Sequence, residues 1–393
     1  MNEDLKNGIT PEEQENKKSG DPDFIAVPED PVAPAKPMRF RNIIIWSVIL
    51  IALIAVSISL MTHEDDISFG DVTEALRNLN VGFALLGAAF LLFSIFAEGR
   101  AIASSGRAIG VNVNCGKSTL FACVEMFFAG ITPSASGGQP AVVYFMYKDG
   151  IKISRSTAML LTNTLHYTVS MLILSVFATV YRHDFLVEIF AKNSDFRILY
   201  ILGFVANCLG MLSCLLFIFA PGIVRFFAVP LFRLLAKLRI VRDLDARLKS
   251  FDVSLGEYRE CHKLIRNSPL TQLKTLVWNL LQKSGSCMIG YCIYRALGYD
   301  QYGFLNIICF QMMILLTVNA LPLPGSGGAS EWMTKELYML VYCLNVKHPS
   351  LATIFSRAMS FYVLILICGT ATAAFYIYLY RRDRRTLNAG GSP

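Results

Sequence analysis

Two short segments interrupt otherwise apolar sequence with glycine, proline and hydroxyl residues: Ile131–Pro140 reads ITPSASGGQP and Leu321–Ser330 reads LPLPGSGGAS. Glycine and proline at that density cannot continue a helix, so each segment ends one helix and starts another. A resumed helix presents unpaired N–H groups and the positive end of its dipole, and glycine lets a ligand approach the backbone. Together these suit an anion such as a phosphate headgroup. In the first segment Thr132, Ser134 and Ser136 offer hydroxyls, Gly137 and Gly138 offer open backbone, Gln139 offers an amide, and Pro140 suits the opening turn of the new helix. In the second, Gly325, Ser326, Gly327 and Gly328 form the matching tip, Ser330 suits an N-cap and Glu331 falls in the first turn. Any one of these serines is explained by helix capping alone. The repetition of Ser136-Gly137-Gly138 as Ser326-Gly327-Gly328 favours paired binding tips.

Ionisable residues inside apolar stretches extend this chemistry, because a charge in a membrane interior is costly and is usually paired or functional. They are Glu98, Arg100, Glu125, Lys283, Glu331 and Arg357. Arg100 and Arg357 can each grip a phosphodiester through a guanidinium fork, while Glu125 or Glu331 can face a cationic amine. Plainer readings stand beside these: Arg100 snorkels to an interface, and Glu331 complements a helix dipole. Asn163 and His166 share a helical face and read as an interhelical hydrogen-bonding pair rather than a proton relay.

The elements that must hold these residues are membrane spans. Apolar runs at 42–61, 81–102, 157–181, 198–220, 274–297 and 352–380 are each long enough to cross a hydrocarbon core of about 30 Å as helix. Stretches 118–147 and 303–345 carry the interruptions. Basic residues before the first run and after the last place both termini in the cytoplasm, and the five acids of 62–80 suit the outside. Both flanks of 118–147 then lie inside and both flanks of 303–345 outside. The expected architecture is an all-α polytopic membrane protein with six full spans and two opposed re-entrant helical hairpins forming an inverted repeat. Two full kinked crossings would also give an even number of passages. Residues 1–41 read as a disordered acidic cytoplasmic tail, 42–385 as the membrane domain, and 386–393 as a C-terminal tail. Within the domain, 221–274 reads as a basic interfacial linker, with Phe226, Phe227, Leu231, Phe232, Leu234 and Leu235 interleaved with Arg225, Arg233 and Lys237.

Composition agrees. Of 393 residues, 54% are hydrophobic and 17% charged, with mean hydropathy +0.48, too apolar to cover a water-facing surface. The net charge of +7 hides an asymmetry: residues 1–35 hold nine acids against three lysines, a balance of −6, so the rest carries +13. Neither polar stretch encloses a catalytic core. Gly116-Lys117-Ser118 imitates the end of a phosphate-binding loop, but Val111 stands where that loop needs glycine and no strand precedes it. The ten cysteines show no CxxC pair and the five histidines are scattered, so no metal and no cofactor is expected.

The tip ITPSASGGQPAVVYFMYKDGI (Ile131–Ile151), followed about 190 residues later by LPLPGSGGASE (Leu321–Glu331), resembles the lysylphosphatidylglycerol synthase transmembrane family, the flippase-like region of the bacterial multiple peptide resistance factor. The likeness runs from about residue 42 to 380. It implies a flippase that moves aminoacylated phosphatidylglycerol, lysyl-phosphatidylglycerol above all, to the outer leaflet of the cell membrane, where it lowers negative charge and repels cationic antimicrobial peptides. The full-length factor also carries a cytoplasmic domain that transfers lysine from lysyl-tRNA, whereas this sequence stops eight residues after Arg385. The expectation is therefore a lipid translocase that is not itself an enzyme. Its partner is an anionic or aminoacylated phospholipid, with room for a separate synthase partner and for oligomers, and with no nucleic acid. The alternatives are phosphatidylglycerol lysyltransferase activity, a small-solute secondary transporter, and a membrane scaffold.

Overall fold

The computed structural model describes residues 69–132, 135–192, 194–219, 244–318 and 349–389, with isolated positions between 222 and 230 and at 335. Among these, every element is helical and there is no strand. The expected first span at 42–61 and the second tip, with Gly325, Ser326, Gly327, Gly328 and Glu331, lie outside the described residues, as does Ser134.

The helices are α1 (Phe69–Arg77), α2 (Val81–Arg107), α3 (Cys115–Ile131), α4 (Gly138–Lys148), α5 (Ile153–Tyr181), α6 (His183–Lys192), α7 (Ser194–Phe219), α8 (Leu244–Arg266), α9 (Pro269–Ala296), α10 (Phe304–Val318), α11 (Pro349–Arg357) and α12 (Leu364–Ala389). A π-helical turn, Ala358–Val363, joins α11 to α12. Among the described residues, four helices are long and apolar enough to cross a membrane: α2, α5, α7 and the joined helix over 352–382. Their large side chains point outward, as with Leu85 and Leu92 on α2, Val176 on α5, and Ile198 and Leu209 on α7. In water that arrangement would expose apolar surface on every side, whereas lipid accepts it.

Helix α9 covers the expected span at 274–297 and has 28 residues, yet it is not one of the four. Its polar side chains Thr275, Asn279, Gln282 and Lys283 are buried, while Leu270, Leu273, Val277 and Leu281 face out. Protein surrounds the polar face, so the helix reads as less apolar than a lipid-facing span. It lies antiparallel to α2 along its whole length: the Asn80 N–H donates to the Ala296 carbonyl at 2.8 Å at one end, and the Ser104 hydroxyl donates to the Thr271 carbonyl at 3.3 Å at the other. The second half of α2 is rich in small residues, Ala97, Gly99, Ala101, Ala103 and Gly106, all buried. Small residues let helix backbones meet closely. At Gly99 an added Cβ would lie 2.8 Å from the Ser118 carbonyl oxygen and the Thr119 backbone of α3.

Helices α3 and α4 form a hairpin that returns to its starting level. Asn114 caps α3, its side chain accepting from the Lys117 N–H at 2.8 Å. At the open end of the hairpin Lys117 pairs with Asp149 at 3.1 Å. Arg382, near the end of α12, pairs with the same carboxylate at 2.9 Å. This end of the bundle is called the base. Lys148, Lys152, Arg155 and Arg381 flank those two pairs along the chain.

Helix α8 belongs to the expected basic linker, and Leu255, Tyr258, Cys261 and Ile265 on it join the apolar core made by Ile102, Phe121, Met146 and Met159. The rest of its seat is polar. Glu257 takes a hydrogen bond from the Ser154 hydroxyl at 2.6 Å and pairs with Lys152 at 3.1 Å. This part of the linker is therefore packed on the bundle. Of the aromatic and basic residues named for the linker, Arg225 pairs with Asp252 at 3.0 Å and Phe226 is exposed; the others lie outside the described residues. A second apolar core, including Met171, Ala178, Phe196, Cys287 and Phe310, fills the opposite half of the bundle.

Candidate functional site

Between those two apolar cores lies a layer of polar side chains. Helix bounds alone fix its depth. Asn163 is ten residues from the start of α5, Asn279 ten from the start of α9, and Glu125 ten from the start of α3. Gly138 is ten residues from the end of α4, and Glu98 nine from the end of α2. All five helix ends are at or near the base, so at 1.5 Å per residue each of these groups lies about 15 Å along its helix from that end. That is half of a hydrocarbon core of about 30 Å.

The layer is built from periodicity. On α9, Thr275, Asn279 and Lys283 recur every four residues on one face, and on α5 Asn163 and Tyr167 do the same. The Asn163 amide donates to Glu98 Oε1 at 2.7 Å and its oxygen accepts from Asn279 Nδ2 at 3.0 Å. Asn279 Nδ2 also donates to the Thr275 carbonyl at 2.9 Å. Lys283 donates to the Tyr167 hydroxyl, and its ammonium lies 3.8 Å from that ring's centroid. Glu98 and Lys283 are each 5% exposed, Asn163 2% and Asn279 0%. Three helices are thus joined through one carboxylate–amide–amide chain, beside a buried cation held by a phenol.

Unpartnered acceptors gather here. Glu98 Oε2, Glu125 Oε2, Asn279 Oδ1 and Gln282 Oε1 are buried and have no hydrogen-bond partner among the described residues. Glu125 lies within electrostatic reach of Glu98, and Glu98 within that of Lys283. A buried polar atom left unpaired costs about 1–3 kcal/mol, more when charged. The layer is therefore arranged for a group that brings hydrogen-bond donors or positive charge.

The hairpin tip reaches this layer. An added Cβ at Gly138 would lie 3.0 Å from the Glu125 carbonyl oxygen, so glycine there seats the start of α4 against α3. Gln139 donates to the Thr164 hydroxyl of α5 and ties the tip to that helix. Thr132 acts as a local brace: its hydroxyl donates to the Phe128 carbonyl at 2.6 Å and accepts from the Gly137 N–H at 2.9 Å. Ala135 holds a positive φ of 54° in the turn. Ser136 is exposed at the tip. The amides of Gly138 and Gln139, the first two residues of α4, have no acceptor within the helix.

The sequence-derived site thus divides. Glu125, Gly137, Gly138 and Gln139 come together, and Thr132 supports them from within. Arg357 is linked to the hairpin through one ring: its guanidinium is 4.7 Å from the Phe361 ring centroid, and that ring is among the nearest neighbours of a Cβ added at Gly130, one residue before the end of α3. Arg100 is not brought in. It stands about 200° around α2 from Glu98, on another face, and stacks over Trp278 at 5.9 Å. His166 donates to its own helix at the Thr162 carbonyl, 2.8 Å away, so only Asn163 bridges helices. Glu98 and Lys283 are visible in sequence as buried charges, but their assembly with Asn163 and Asn279 is not. The available signals were the shared distance from helix ends and the polar stripe on α9.

A family model described as "Lysylphosphatidylglycerol synthase TM region" matches residues 44–368. A UPF0104 membrane protein of Archaeoglobus fulgidus is 28% identical over 241 residues, covering 61% of this chain and 70% of its own length.

Proposed function

From its membership of the lysylphosphatidylglycerol synthase TM region family, we propose that this multi-pass membrane protein is a translocase that carries phospholipid headgroups between leaflets, with aminoacylated phosphatidylglycerol as the substrate class. The observation that carries the reading is the buried polar layer about 15 Å from the base, level with the tip of the α3–α4 hairpin. Non-helical backbone at that depth is tolerated where it is enclosed by protein or lines a polar cavity. In this reading the amides of Gly138 and Gln139 at the start of α4, together with Arg357, bind the phosphodiester, and the acceptor-rich layer meets the donor groups of the headgroup. Movement of such a lipid lowers the negative charge of the outer leaflet and opposes cationic antimicrobial peptides.

The membrane topology that goes with it has the base in the cytoplasm, because that end is basic, and has α3–α4 as a re-entrant hairpin, with a second hairpin entering from the other face. The ion pair between Lys117 and Asp149 supports a hairpin with both ends on one side. A cysteine introduced at Ser136 is then reached by membrane-impermeant thiol reagents from the cytoplasmic side, in a background whose native cysteines have been replaced; labelling from the outside alone contradicts the topology.

The translocase is tested in proteoliposomes by following the leaflet distribution of lysyl-phosphatidylglycerol and of plain phosphatidylglycerol. Rates no faster than those of empty vesicles for both lipids overturn it. The family description also names a synthase, so the purified protein is incubated with lysyl-tRNA and phosphatidylglycerol. Formation of lysyl-lipid replaces the translocase reading with an enzymatic one.

A further inference from the structure

We propose that Glu98 and Glu125 form a binding site for one monovalent cation, and that its occupation is part of the transport cycle. The inference rests on the translocase reading for its role in transport, but the site itself stands on geometry. Two carboxylates occupy one buried layer. The side chains that bear on them are Lys283 from α9, through its charge on Glu98, and Asn163 from α5, through its amide. Of these only Lys283 is basic, and its hydrogen bond goes to Tyr167. Among the described residues the layer thus holds two carboxyl groups against one amine.

An uncompensated charge away from water costs several kcal/mol, and bringing in one positive charge removes that cost. The donor set is the second argument. Each carboxylate keeps one oxygen without a partner, and two amide oxygens, Asn279 Oδ1 and Gln282 Oε1, are also unpartnered in residues that are at least nine-tenths buried. Asn279 is joined to Glu98 through Asn163, so its free oxygen belongs to the same layer. Hard oxygens that include two carboxyl groups suit Na+, a proton, or the ammonium group of a lipid headgroup. The C-terminal end of α3, a broken helix whose carbonyls point toward the tip, adds the negative end of a dipole.

The test measures binding directly on the purified full-length chain, using radiolabelled Na+, methylammonium as competitor, and proton release into weakly buffered solution. Wild type binds one cation per chain. Glu98→Gln and Glu125→Gln, which keep side-chain shape, each weaken binding by about tenfold or more. Asp195→Asn, at an exposed acid at the start of α7, leaves it unchanged. Competition by methylammonium without Na+ binding identifies the headgroup amine as the cation; Na+ binding or proton exchange identifies a free coupling ion. If wild type binds none of the three, or the folded double variant Glu98→Gln/Glu125→Gln binds as wild type does, the proposal fails. Cation binding with no lipid movement keeps this site and removes the translocase, whereas lipid movement with no cation binding removes only this site.

Discussion

Replacing Asn163 with leucine removes the amide that joins α2 to α9 while keeping the number and branching of side-chain heavy atoms. The bond lost at Glu98, 2.7 Å long, has a carboxylate acceptor, and such bonds contribute about 1.5–3 kcal/mol in buried sites. Hydrogen bonds between membrane helices are weaker on average, about 0.6 kcal/mol with a maximum near 1.7, because the unfolded helices also find partners. The second bond, to Asn279, adds little, since that amide nitrogen keeps the Thr275 carbonyl. Taken together, Asn163→Leu destabilises by about 2 kcal/mol, roughly a 30-fold shift in the unfolding equilibrium. The charge of Glu98 makes up much of this. In a Glu98→Gln background the cost of Asn163→Leu drops to about 1 kcal/mol or less. Reversible unfolding in mixed micelles, with added sodium dodecyl sulfate as denaturant, measures all four proteins of the cycle. Costs that add to within about 0.5 kcal/mol, or a leucine variant as stable as wild type, refute the argument that this chain of side chains couples three helices.

Three further outcomes follow from other parts of the molecule. Gly99→Ala forces a methyl to within 2.8 Å of α3 backbone atoms that cannot move aside, and the same unfolding assay should show a loss of about 1–3 kcal/mol. Arg357→Ala should slow leaflet exchange in proteoliposomes far more than Arg100→Ala, because Arg357 stacks on Phe361, whose ring meets α3 near its end, and Arg100 stacks on Trp278 on another face of α2; equal effects would return Arg100 to the site. The Ser154 hydroxyl, helped by Lys152, holds the Glu257 carboxyl below the ordinary carboxylate range. A depressed folded value means that the seat of α8 has its full stability above the ordinary carboxylate pKa and loses it as pH falls through the depressed one. Limited proteolysis between α7 and α8 should therefore rise on acidification in wild type, and Glu257→Gln should show that susceptibility already at neutral pH; a pH profile unchanged by the substitution removes Glu257 from this role.

Much of this protein was legible in its sequence. The apolar runs that became α2, α5 and α7 announce membrane helices through composition alone, since lipid selects for apolar surface wherever a helix faces it. The break between α3 and α4 was equally visible, because proline and glycine act on the local backbone whatever surrounds it, and the ITPSASGGQP motif lies where the chain turns. Family membership follows from residues 44–368 taken together. Tertiary structure decided the rest. Which face of a helix is buried depends on its neighbours, so Arg100, two residues from Glu98, turned away while Asn163, read from sequence only as half of a pair with His166, and Asn279, not singled out at all, became the centre of the candidate site. Helix α9 shows the reason most directly: its polar stripe weakens its apolar signal in sequence, yet it lies against α2 along its length because those polar groups satisfy one another only when the other helices enclose them. Sequence specifies the groups and their spacing along each helix, but the meeting of five such helices at one depth is a property of their packing.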